Sequence, residues 1–354
     1  MYTPDFRNLV NAAFNRPSAH IPIYDHSISP SVIERITSER FADLSQGNHA
    51  DKVEFFRRYN AFQRDMGYDA TVYEYCASSV MPGSGALGNH KDSVIKTRED
   101  FDRYPWGEVP ALFFEKSTEH YTALRESLLS GMPAVGGVGN GVFECVQDVV
   151  GYEELCYIRI DDEDLYRDLF RAAGDMLYAI WERFLAEFGD IFCVFRIGDD
   201  LGFKSTTLLS DKEIREHIIP QYRRIIALIH KSGKPFLLHS CGKIFDVMDD
   251  FISEAGIDAK HSNEDVIAPF SQWIEQYGDS IGNFGGLDTD VLCHLSGVDI
   301  VEYTSHIYRI CAEKGRGVAI GSGNSIPDYV DPQRYCKAVE TIRRLRGDVG
   351  SFPF

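Results

Sequence analysis

The clearest chemistry in the chain belongs to His239 and Cys241, at the end of the apolar run Pro235-Phe236-Leu237-Leu238-His239-Ser240-Cys241-Gly242. Residues two apart on a strand share one face. An imidazole and a thiol on one face are half of a soft metal site. The plainer alternative is a buried histidine beside a core cysteine. Glu264 follows at the end of the next predicted strand. Neighbouring strands lie about 4.8 Å apart, so its carboxylate can reach the same ion. Nitrogen, sulfur and oxygen donors with a fourth position open suit a catalytic zinc. Thiolate and carboxylate together would cancel the charge of the ion. Glu264 could equally be a carboxylate at a helix N-terminus.

Further polar residues stand at other predicted strand ends. Asp199 could be a general acid or base, or a ligand's hydrogen-bond partner. Asp288, after two glycines, could anchor His239 or a substrate amine. Asp199 and Asp288 are therefore the candidate catalytic carboxylates, each with an alternative as a satisfied turn residue. Asp200 reads as a cap on the following turn. Tyr75, Phe203, Asn324 and Tyr329 are the candidate substrate-binding residues, and the aromatics among them, with Tyr73, could wall an aromatic ring or simply pack.

These residues need a scaffold that brings strand ends together. Apolar strand-like runs are predicted at 20–26, 70–75, 134–139, 191–197, 236–238, 258–262, 281–284 and 317–320. Helical patterns alternate with them. The longest has apolar residues at three-and-four spacing from Leu165 to Phe184. Another starts at the capping-box pattern Ser210-Asp211-Lys212-Glu213. Two long connections are expected: 76–89, rich in Ser and Gly, reads as a functional lid or binding loop or else as a disordered surface excursion, and a second loop carries Phe143, Glu144 and Tyr152. Eight strands alternating with helices predict a single α/β domain over 1–354. It is a (β/α)8 TIM barrel spanning 20–354, with an N-terminal helical extension over 1–19. An open doubly wound sheet is the competing architecture, but no glycine-rich nucleotide fingerprint has the required spacing. In a barrel the carboxyl ends of the strands carry the chemistry, which places all these groups at one mouth.

Composition limits the partners. The formal net charge is -18, which argues against nucleic acid and against an anionic membrane. The eight cysteines are scattered through the chain and do not form a compact disulfide framework. Asp5 and Arg7 interrupt any apolar run at the start, and no run approaches a membrane span. A cytoplasmic setting is expected, and a homo-oligomer is compatible with the composition.

His239-Ser240-Cys241-Gly242, Gly285-Gly286-Leu287-Asp288 and Gly321-Ser322-Gly323-Asn324-Ser325-Ile326-Pro327 together resemble the uroporphyrinogen decarboxylase superfamily. Within it they are similar to the corrinoid-dependent methyltransferase branch. The resemblance runs from the first strand onward and implies a barrel with zinc at its mouth. It places His239 and Cys241 on the branch's His-x-Cys ligand pair. The branch's later cysteine falls on Ser322, so Glu264 is the candidate replacement. Cobalamin-independent methionine synthase, another zinc barrel, also has a glutamate after its His-x-Cys pair. The Arg-x-x-Gly-Arg element of true uroporphyrinogen decarboxylases is not found in residues 15–26.

At the mouth, Lys91, Lys204 and Lys243 face a majority of carboxylates, a balance that repels a polycarboxylate substrate. The resemblance therefore implies a zinc-dependent methyltransferase. It would move a methyl group between a small methyl donor, such as a methoxylated aromatic, and a corrinoid (cobalamin) carried by a partner corrinoid protein. The alternatives are a tetrapyrrole decarboxylase and a non-catalytic docking subunit of a corrinoid complex.

Overall fold

Parallel strands buried on both faces call for apolar runs, and this chain has seven of them in strand geometry. A computed structural model describes residues 2–88, 90–293 and 297–354. Met1 and Asn89, the outer ends of the predicted extension and of the predicted loop 76–89, lie outside the described residues. The strands are β1 (Thr71–Cys76), β2 (Ala134–Gly139), β3 (Phe192–Gly198), β4 (Phe236–His239), β5 (Ala259–His261), β6 (Gly282–Leu287) and β7 (Val318–Ser322). All neighbours are parallel, and their order in the sheet is their order in the chain. The fold is TIM-barrel-like.

The predicted first strand, 20–26, is a correction to the eight-strand expectation. It reaches the sheet through one parallel bridge, Ile23 to Ile320. Tyr24 N–H donates to the Ile320 carbonyl, and Ile320 N–H donates to the Pro22 carbonyl. Below the bridge the ladder stops because Pro22 has no N–H. Above it, the Ser322 N–H that would continue the ladder donates instead to Asp25 Oδ1 at 2.6 Å. The segment is thus an eighth stave without being a strand.

Helices cover the sheet. The long amphipathic pattern is the helix Glu163–Phe188, capped by Asp162. The Ser210 capping box is formed as expected. That helix then widens to a π turn over Ile214–Ile218 before Ile219–His230. Pro220 cannot donate to the preceding turn, and the wide turn accommodates its ring. The predicted N-terminal extension contains the helix Arg7–Ala13, which packs against β3, β6 and β7. The second long connection is not a loop: it holds the helices Val142–Val150 and Tyr152–Asp161, separated by Gly151.

Candidate metal centre

Register brings the imidazoles together. His239 ends β4 and pairs with His261 at the end of β5. Their Nδ1 atoms are 2.7 Å apart, and His261 Nε2 is 2.9 Å from the Ser322 carbonyl oxygen. A carbonyl can only accept, so His261 Nε2 carries a proton. Its Nδ1 then accepts from His239 Nδ1–H. This network assigns the tautomer of His239 and leaves its Nε2 with a free lone pair. Burial first, then the nearby imidazoles of His26 and His261, push the His239 pKa well down, so the ring is neutral.

That lone pair faces two other donors. Cys241 Sγ is 3.5 Å from His239 Nε2, and Asp200 Oδ1 is 3.7 Å from it. The donor atoms of Asp200, His239 and Cys241 all lie within 4.8 Å of one another. Bonds of ~2.0–2.3 Å in a tetrahedral zinc site separate nitrogen from sulfur by ~3.5 Å and nitrogen from oxygen by ~3.3 Å. The trio therefore fits a divalent ion with modest movement. Cys241 Sγ also receives the Asn324 amide at 3.3 Å and the Ser262 hydroxyl at 3.7 Å. Two donors to one sulfur favour the thiolate. Burial and the Asp200 carboxylate push the thiol pKa upward, and a cation beside it would reverse that penalty.

Loop packing sets Asp200. Its Oδ1 accepts the Cys241 N–H at 2.9 Å, locking the loop after β3 onto the loop after β4. Gly242 has φ +82°, and a Cβ there would lie 2.1 Å from the Gly202 carbonyl carbon. Only glycine permits both the left-handed backbone and this close approach.

The other predicted residues go to different places. Glu264 belongs neither to this trio nor to the imidazole cluster His26, His239 and His261, the two groups of closely spaced donors among the described residues. Together with Asp288, Asn324 and Tyr329 it lines an adjacent cleft of about 320 Å³, where burial first and Asp288 next raise its carboxyl pKa. Asp199 accepts from the N–H groups of Phe143 and Glu144 and from the Tyr222 hydroxyl. It anchors the N-terminus of the helix Val142–Val150, and burial raises its pKa to about 7. A Cβ on Gly141 would lie 2.3 Å from the Asp199 Cβ, so glycine admits this contact. Asp288 accepts from Asp265 N–H and Asp290 N–H, as a turn carboxylate does. Tyr75 packs behind β1 against Phe113 and His120 and does not reach the mouth. Phe203 and Tyr329 are exposed. Of the four candidate substrate residues, Asn324 alone touches the metal trio.

Sequence reasoning missed Asp200 as a member of the donor trio and His261 as the support of His239. It also missed a buried set beside them. The His26 ring lies 3.8 Å from that of His239, centroid to centroid. Glu74 Oε1 is 3.5 Å from His26 Nε2, and Glu74 Oε2 is 2.7 Å from an Arg196 nitrogen. Burial would raise the Glu74 pKa, but the Arg196 charge, then His26, more than offset it and hold it at about 2.

A TIM-barrel-like fold with imidazole, thiol and carboxylate converging at the strand ends defines a class of barrel with a candidate metal centre. Residues 76–345 match the uroporphyrinogen decarboxylase (URO-D) family model, and the chain belongs to that family. A methyltransferase from Methanosarcina mazei has a similar structure, with TM-score 0.69, 16% identity and coverage of 98% of this chain and 99% of that one. Endo-glycoceramidase II from Rhodococcus sp. aligns with TM-score 0.42 and 12% identity, over 96% of this chain and 80% of that one. No curated protein matches the sequence. Among the described residues, no helix is long and apolar enough to cross a membrane.

Proposed function

We propose that this chain is a zinc-dependent methyltransferase. It would exchange a methyl group between a small methylated substrate and a corrinoid carried by a partner protein. The observation that carries the reading is the trio Asp200, His239 and Cys241, whose 3.5 and 3.7 Å separations suit one tetrahedral ion. The likeness to the Methanosarcina mazei methyltransferase supports the same branch of the family. When bound, the ion would supply Lewis acidity at the heteroatom that bears or receives the methyl group. His261 orients the His239 ring, and Asn324 and Ser262 hold the Cys241 sulfur. Asp200 replaces Glu264 as the proposed oxygen ligand. Its side chain is 45% exposed, so an ion held there would be open to a substrate from the solvent side. A carboxylate in place of a second thiolate makes a harder site, better suited to an ether oxygen than to sulfur. Demethylation of a methoxylated compound is the direction that follows.

The decarboxylase reading is not favoured. Arg196 is buried in its pairing with Glu74, and the mouth carries more carboxylates than cations.

Metal analysis tests the proposal. The purified chain should hold about one zinc, lost in His239→Ala and in Cys241→Ser. Zinc-loaded protein should change the absorbance of a reduced corrinoid when a methyl donor is added. A chain without zinc affinity, or with affinity unchanged in both variants, contradicts it.

A further inference from the structure

The stave at 22–24 bridges β7, and among the described residues no ladder joins it to β1. A cavity of about 360 Å³ has lining residues on both sides of this break. Its apolar lining includes Ile28, Phe55, Tyr59, Val72, Ile326 and Pro327. Its ionisable side is His26, Glu74 and Arg196, and Ser27, Ser29 and Ser325 add uncharged hydroxyls. His26 stacks on His239, so the cavity adjoins the metal trio.

Its charges are already matched. Arg196 is fully buried and donates to Glu74, to the Tyr24 hydroxyl and to the His26 carbonyl. An ionised ligand would have to lose its own hydration and compete with a buried ion pair. An uncharged ligand faces neither obstacle. Of the lining residues, His26 alone has a buried side-chain atom without a partner, Nδ1. It is closed off from solvent, so a ligand hydroxyl meets it when the His26 ring turns toward the cavity. The volume exceeds the ~150 Å³ that admits benzene and sits low in the ~300–1,000 Å³ range of ligand pockets. It suits one substituted ring and is far too small for a tetrapyrrole.

We propose that this fissure binds the small-molecule methyl donor, and that the donor is an uncharged, single-ring compound with a hydroxyl that meets His26. The identification of the ligand as methyl donor rests on the methyltransferase reading; the neutrality and size of the ligand rest on the cavity itself.

Calorimetry on the zinc-loaded full chain tests it, with 2-methoxyphenol and 2-methoxybenzoate as probes. The phenol should bind at least about tenfold more tightly than the benzoate. Glu74→Gln leaves the Arg196 charge unmatched, so the benzoate should gain at least about tenfold, a gain that misfolding cannot imitate. Val72→Phe should weaken the phenol by about tenfold or more while zinc content stays unchanged. Equal binding of the two probes, no binding of the phenol, or no gain in Glu74→Gln overturns the assignment. If the binding pattern holds but no methyl reaches a corrinoid, the methyltransferase reading fails and the pocket stands. If methyl leaves an ionised donor and Glu74→Gln has no effect, the pocket fails and the methyltransferase reading stands.

Discussion

His261 sits one strand away from the proposed ligand pair and lies outside the proposed trio. Yet its Nδ1 accepts a hydrogen bond from His239 Nδ1–H, and its own Nε2–H donates to the Ser322 carbonyl. Without it, His239 is free to turn its ring or change tautomer. His261→Ala should therefore weaken zinc binding by roughly 10–100-fold, measured by chelator competition, while circular dichroism shows the helices intact. At this scale the sequence was partly legible. His239 and Cys241 could be read because a two-residue spacing implies one face. Asp200 and His261 could not, because their positions depend on the register of β4 with its neighbours. Glu264 is on the expected side of the next strand, but its loop carries the carboxylate into the adjoining cleft.

Elements are joined here by a few buried polar groups. Asp25 accepts from Ser322 N–H, Tyr68 O–H and Tyr335 O–H. It links the first stave, the turn before β1, β7 and the C-terminal helix Pro332–Arg346. Asp25→Ala leaves these donors without a partner in the core and should cost about 3 kcal/mol in urea unfolding. A second link joins the end of the helix Ile219–His230 to the entrance of β5. His230 Nε2 lies 2.7 Å from Asp258 Oδ2. The hydrogen bond to Asp258 raises the His230 pKa above its ordinary 6.5, against a smaller effect of burial. Because the folded value is the higher one, this contribution is complete below the ordinary value and disappears as pH rises through the raised one. The stability gap between the wild type and His230→Gln should be wide at about pH 6 and closed by about pH 9. The helices Val142–Val150 and Tyr152–Asp161 were hidden because Gly139, Gly141 and Gly151 punctuate that stretch like a loop.

Across the whole molecule, seven strands and the long helices were readable from apolar runs and helical spacing. The closure of the ring was not. Pro22 and Asp25 end the first ladder after a single bridge, and no apolar pattern reports a missing N–H or a carboxylate that captures one. The excess of carboxylates was legible in the net charge of -18, and it opposes a polyanionic substrate.

The break beside the first stave also has a mechanical meaning. A fully laddered ring must shear many backbone bonds to dilate, whereas this one is fastened along one side by tyrosine, aspartate and arginine contacts. On that side the closure therefore rests on side-chain contacts, and the strength of the ring there is set by those few buried polar groups.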